Sequence, residues 1–162
     1  MRPAHVEPVR LGLHRLQRLL GSRRPWAALG DAAGVDLAQQ EIQVLQVLHD
    51  GEARSMADLA RLARMDAAAV SRQVRALEDR GLVVRRPSPV HGRIVLIEPS
   101  EQGLVTARRL HDLRDRHLVD ALAGWTPDER DALGRLMVRL VDDLERTPYR
   151  RARSAAPRRA AG

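Results

Sequence analysis

Apolar positions recur along this chain mostly at helical spacing, with two short interruptions of another kind. Val6, Val9, Leu13, Leu16 and Leu20 repeat at intervals of three and four, which predicts an amphipathic helix. The stretch 21–34 carries Gly21, Pro25, Gly30 and Gly34 and reads as a break. Ile42, Val44, Leu45 and Leu48 predict the next helix, with Asp36 as its N-cap and His49-Asp50-Gly51 as its end. Ser55, with Asp58 three residues on, opens a short helix bearing Met56, Leu59, Ala60 and Leu62. Asp66 caps another, from Ala67 to about Arg80, whose Val70, Val74 and Leu77 share one face and which Gly81 stops.

Leu82-Val83-Val84 and Ile94-Val95-Leu96-Ile97 are short runs of β type. The segment 85–93 between them holds Pro87, Ser88, Pro89 and Gly92 and predicts a hairpin tip. Ser100 opens a long helix through Leu104, Leu110, Leu113, Leu118, Leu122 and Trp125, ended by Gly124 and roughly 36 Å long. Thr126-Pro127-Asp128-Glu129 starts a last helix, with an N-cap, Pro at the first position and Glu at the third. Its stripe is Leu133, Leu136, Met137, Leu140, Val141 and Leu144. Beyond Pro148 the chain is Arg, Ala, Ser and Pro, a composition that predicts disorder.

The fold class expected is mainly α with a small β-hairpin wing. Four segments are expected: an N-terminal helix and linker (1–35), a central domain of helices and the hairpin (36–99), C-terminal helices (100–147) and a basic tail (148–162). Charge sharpens this picture. The 162 residues carry a net charge of +7, and every basic side chain other than His is Arg. Residues 54–93 hold nine Arg against four acids, a net +5, whereas residues 94–145 hold seven Arg against eleven acids, a net −4. A basic middle segment fits a polyanion, of which nucleic acid is the commonest. Aromatic residues make up 2%, with no Phe, so the core falls to Leu, Val, Ile and Ala. The absence of Cys excludes disulfides, thiol sensors and thiolate zinc sites. The N-terminus has no continuous apolar stretch of signal-peptide type, and no apolar run approaches the ~20 residues of a membrane span, so a cytoplasmic protein is expected, on the nucleoid when bound to DNA.

A short helix, a tight turn at Ala63 to Asp66 and a second helix make a helix-turn-helix, and a two-stranded wing follows at once. In that arrangement the second helix enters the major groove. Its apolar face here is Val70, Val74 and Leu77, while Ser71, Arg72, Gln73 and Arg75 point outward. The stretch Val70-Ser71-Arg72-Gln73-Val74-Arg75-Ala76-Leu77-Glu78-Asp79-Arg80-Gly81-Leu82-Val83, preceded by Leu59-Ala60 and followed by Arg85-Arg86, resembles the MarR family of transcription regulators. Ser100-Glu101-Gln102-Gly103 resembles that family's Thr-Glu-x-Gly opening of its long helix, and the likeness spans residues 6–146.

The resemblance implies a homodimer formed through the terminal helices, with its two wings flanking duplex DNA at a pseudo-palindromic operator. It also implies a repressor released by a small-molecule effector, Ser71 and Arg72 at the recognition contacts, and Arg93 as the minor-groove wing residue. Three departures stand out: His91 takes the place of the family's usual Asp before the wing Arg, Gly92 that of an Arg, and Ala67-Ala68-Ala69 opens the recognition helix where polar residues are commoner. Methyl groups of Ala67 and Ala68 touch thymine but make no hydrogen bonds, so readout through phosphates and DNA shape gains weight. Ser55, Arg85 and Arg86 complete the expected DNA-contacting set. An effector is expected at the cleft near His14, His49 and His111.

Other classes find little to hold. His111 and His117 sit ~240° apart around a helix and do not chelate one ion together, so no metal site and no cofactor are expected. No Gly-rich phosphate loop or His-Glu-x-x-His occurs, and an enzyme is not expected. The alternative is a winged helix used as a protein-interaction module without specific DNA binding, against which the basic 54–93 segment weighs.

Overall fold

A computed structural model of the chain describes residues 6–90 and 92–149. It divides into two compact units, Met1–Val119 and Asp120–Gly162. The first contains α1 (Glu7–Gly21), α2 (Arg23–Ala33), α3 (Gln39–Val47), β1 (Arg54–Ser55), α4 (Met56–Ala63), α5 (Ala67–Asp79), β2 (Val83–Pro87) and β3 (Val95–Pro99), with nearly all of α6 (Glu101–Ala121). The second contains α7 (Pro127–Arg146).

The core is aliphatic, as the shortage of aromatics requires. Ile42, Val44 and Leu45 of α3, Leu59 of α4, Val70, Val74 and Leu77 of α5, Ile97 of β3 and Leu110 of α6 are essentially inaccessible. Each side chain of that size buried contributes about 1.5–3 kcal/mol, so this cluster fixes how α3, α4 and α5 pack. The small antiparallel sheet has the order β1-β3-β2, with Arg54 opposite Ile97 and Arg86 opposite Leu96. β1 was not expected, because two residues are too few to show alternation. Ser55 belongs to it and also caps α4, its hydroxyl accepting from Asp58 N at 3.1 Å and donating to the Asp58 carboxylate at 2.7 Å.

Three further sequence expectations are corrected. Residues 21–34 are not a break: Ser22 leaves helical geometry, and α2 then runs as far as Ala33. Pro25 is the third residue of α2, where no intrahelical bond needs its missing N–H. Gly30 is buried, and a Cβ there would lie 3.2 Å from Val35 O and 3.6 Å from Ile42 Cδ1, so this glycine serves a close approach. Gly34, at φ 65°, ends the helix in the left-handed region.

Asp36 is not the N-cap of α3. Ala38 holds that position, and Glu41 reaches back to accept from Ala38 N at 2.6 Å. The long helix ends at Ala121 rather than Gly124, and two turn hydrogen bonds, Ala123 N to Asp120 O and Trp125 N to Leu122 O, close it.

The seam between β2 and α6 shows why a Ser-Glu-Gln-Gly sequence stands there. Ser100 N donates to Leu82 O at 3.0 Å, and its hydroxyl donates to Gly81 O at 2.6 Å while accepting from Gly103 N at 3.0 Å. These bonds draw the first turn of α6 onto Leu82 so closely that Gly103 has no room for a side chain.

No residue of α1 or α7 is buried within the chain. Leu16, Leu19 and Leu20 on α1, and Leu136, Met137, Val141 and Leu144 on α7, are exposed. Among the described residues no helix is long and apolar enough to cross a membrane.

Candidate nucleic-acid interface

Two aspartate or serine caps and one strained turn set the helix-turn-helix geometry. Ser55 starts α4, and Asp66 starts α5 by accepting from Ala69 N at 2.7 Å. The Asp58 carboxyl is held below its usual range first by the Ser55 hydroxyl and then by Arg61. Between the helices Arg64 closes α4 at φ 54°, with Met65 N donating to Ala60 O at 2.9 Å. Arg64 is the only non-glycine residue at positive φ among the described residues. That conformation is ordinarily left to Gly or Asn, and it lets the chain turn sharply into α5.

With Val70, Val74 and Leu77 locked in the core, the opposite face of α5 is presented to solvent. Ala67, Ala68, Ser71, Arg72 and Arg75 are all exposed there. Among the described residues Arg72 and Arg75 make no ion pair. Gln73, half-buried at the edge of that face, donates through Nε2 to Oε1 of Gln40 at 2.9 Å. The Ser55 hydroxyl is engaged in its cap.

In the wing, Arg85 Nε pairs with Glu78 Oε2 at 2.9 Å, tying β2 to the end of α5, and Arg86 pairs with Glu98 across the hairpin. Both guanidinium groups keep free N–H groups on their terminal nitrogens for phosphate. Arg93 is exposed beyond the paired strands, beside the Ser88 N to Ile94 O bond that closes the hairpin. His91 lies outside the described residues, as does the tail beyond Tyr149.

Of the three histidines singled out by sequence, two meet. His49 and His111 stack with ring centroids 4.1 Å apart, and His49 Nδ1 contacts Gln46 O at 2.8 Å. Arg114 donates to Gln46 Oε1 at 2.6 Å and lies 5.7 Å from the Trp26 ring centroid. Gln46 Nε2 is buried without a partner among the described residues. His14 is exposed on α1. Two open grooves, of about 350 and 510 Å³, run between the Gly34–Leu37 segment and the first turns of α6, and no histidine lines either. Among the described residues no three His, Asp or Glu side chains gather as for a metal ion.

Sequence reasoning missed Gln40 and Glu41. Glu41 is buried, and its Oε1 lies 3.3 Å from Arg80 Nε, so it fastens the end of α5 to α3. The only sequence signal for this was the acid three residues past Ala38, a position that marks a helix start.

Comparison with known proteins agrees with this geometry. A MarR family model matches residues 34–94. The HTH-type transcriptional regulator Mb0904 of Mycobacterium bovis is 32% identical over 136 residues, 82% of this chain and 90% of that protein. YdgJ, an HTH-type transcriptional regulator of Bacillus subtilis, is 28% identical over 108 residues, and the match spans 66% of its length and 67% of this chain. Among solved structures, the MarR family transcription regulator SP03579 superposes with a TM-score of 0.74 at 17% identity, over 87% of this chain and 93% of that one. The transcriptional repressor CouR, bound to a 23-mer DNA duplex, superposes with a TM-score of 0.63 at 24% identity, over 80% of this chain and 89% of that one. The chain belongs to the MarR family of transcriptional regulators.

Proposed function

We propose that this chain is a homodimeric, sequence-specific DNA-binding repressor whose α5 enters the major groove and whose wing flanks it. The observation that carries the reading is the two-sidedness of α5. Val70, Val74 and Leu77 are fully buried, while Ala67, Ala68, Ser71, Arg72 and Arg75 face outward. Arg72 is anchored by its buried neighbours and supplies a planar cation suited to guanine O6 and N7 or to a phosphate pair. Arg75, Arg85, Arg86 and Arg93 add phosphate attraction, which positions the protein without reading sequence. CouR, a repressor of the same fold bound to duplex DNA, supports the assignment.

The dimer rests on α1 and α7, neither of which buries a residue within its own chain. Two recognition helices held about one turn of DNA apart match a pseudo-palindromic operator. The effector site is assigned to the His49–His111 stack, where Gln46 Nε2 lacks an acceptor that a ligand would bring. A ligand that favours the DNA-free spacing of the helices would loosen DNA with a coupling of about 1–3 kcal/mol.

The test is fluorescence anisotropy with duplexes selected by the protein from a random pool, against scrambled controls. Discrimination that is lowered roughly 5- to 150-fold by Arg72→Ala supports the reading. Equal affinity for all duplexes, or none for any, sinks it.

A further inference from the structure

The opening of α5 offers little for hydrogen-bonded readout, because Ala67, Ala68 and Ala69 carry only methyl groups. Polar readout therefore falls on Ser71, Arg72, Gln73 and Arg75. Gln73 differs from the other three. Its side chain is not free in solvent but is joined to Gln40, a residue 33 positions earlier on α3. Gln40 itself is exposed and carries no other side-chain hydrogen bond among the described residues.

We infer that Gln40 is a positioning residue for sequence readout: by holding the Gln73 amide at the edge of α5, it makes that amide present one fixed donor and acceptor to a base pair. The inference rests on α5 being the groove-reading helix.

The chemistry follows from the amide. Nε2 of Gln73 has two N–H groups. One is taken by Gln40 Oε1 at 2.9 Å, which leaves the other, together with Oε1, for a base edge. That pair complements the N7 acceptor and N6 donor of adenine. An unattached glutamine samples many rotamers and must be ordered on binding, at a cost in side-chain entropy. A tethered one has been ordered beforehand. Gln40 lies on α3, which the core residues Ile42, Val44 and Leu45 hold rigidly, so the tether transmits a fixed position.

The test uses the full chain, a duplex selected from a random pool and a scrambled duplex, at one fixed salt concentration. Gln40→Ala is expected to lower discrimination about fivefold, the worth of one neutral hydrogen bond, with affinity for the scrambled duplex unchanged. Gln73→Ala should lose as much or more, and the double variant should be no worse than Gln73→Ala alone. Gln40→Glu keeps an acceptor for Gln73 Nε2 but adds a charge near phosphates. It should weaken both duplexes while retaining discrimination. Unchanged discrimination in Gln40→Ala, or losses that add in the double variant, would overturn the inference. Failure of the wild type to discriminate, or indifference to Arg72→Ala, would instead remove the groove-reading role of α5 on which it rests. Melting curves of Gln40→Ala and Gln40→Glu should superpose on the wild type's, since Gln40 is exposed.

Discussion

Replacing Gly103 by alanine should damage this protein far more than its place in a long helix suggests. A Cβ at that position would lie 1.7 Å from Leu82 O and 2.7 Å from Leu82 C. Carbon–oxygen contacts tolerate no less than about 3.3 Å, so the first turn of α6 must retreat by roughly 1.6 Å. That movement breaks the bonds from Ser100 N to Leu82 O and from Ser100 Oγ to Gly81 O. Two such bonds contribute about 1 kcal/mol each, and the remaining misfit adds about 1–3 kcal/mol. Alanine returns up to about 1 kcal/mol through helix propensity. The net loss is about 2–4 kcal/mol, which for a chain of this size lowers Tm by roughly 4–16 °C. Gln102→Ala, one residue away and exposed, serves as the control and should stay within about 0.5 kcal/mol of wild type. Thermal melting followed by circular dichroism decides the matter. Matching melting temperatures for the two variants would refute the claim that α6 is seated on the Leu82 carbonyl.

Arg64→Gly should stabilise the fold by about 1 kcal/mol, because glycine adopts φ 54° without strain; chemical denaturation that shows a loss would mean the Arg64 side chain holds the turn together. The Thr126 N–H and then its hydroxyl hold the Glu129 carboxyl below its ordinary value of 4.5. A carboxyl lowered by folding contributes stability above its unfolded value and loses it as pH falls through the folded one. The start of α7 should therefore lose amide-exchange protection as pH drops below about 4.5, and Glu129→Gln should remove that dependence. Arg72→Ala should cost more specific affinity than Arg93→Ala, because the first sits on a helix anchored by Val70 and Val74 and the second on an exposed hairpin. Anisotropy titrations that rank Arg93→Ala as the worse variant would show the wing to be the better ordered element.

Much of the fold was legible because its signals are local. Ser55, Asp66 and Thr126 announce helix starts through their own side chains, and the spacing of Val70, Val74 and Leu77 fixes which face of α5 is buried. What stayed hidden depends on partners distant in sequence. Gly30 reads as a breaker until Val35 and Ile42 are seen against it, and α2 was missed for that reason. Asp36 looked like a cap because its residue type suits one, but Glu41 answers the need of α3 from inside the helix. The candidate face of α5 followed from periodicity alone. The engagement of Gln73 by Gln40, of Arg85 by Glu78 and of Arg86 by Glu98 did not, since no local pattern brings those pairs together.

The central claim is that the exposed face of α5 reads duplex DNA. Its most direct measurement is the ratio of affinities for a selected and a scrambled duplex, by anisotropy at one salt concentration, for wild type and Arg72→Ala. The wild type should prefer the selected duplex, and Arg72→Ala should lose roughly 1–3 kcal/mol of that specific affinity while binding the scrambled duplex nearly as before. An Arg72→Ala protein that discriminates as well as the wild type would place sequence reading elsewhere on the molecule and contradict the account.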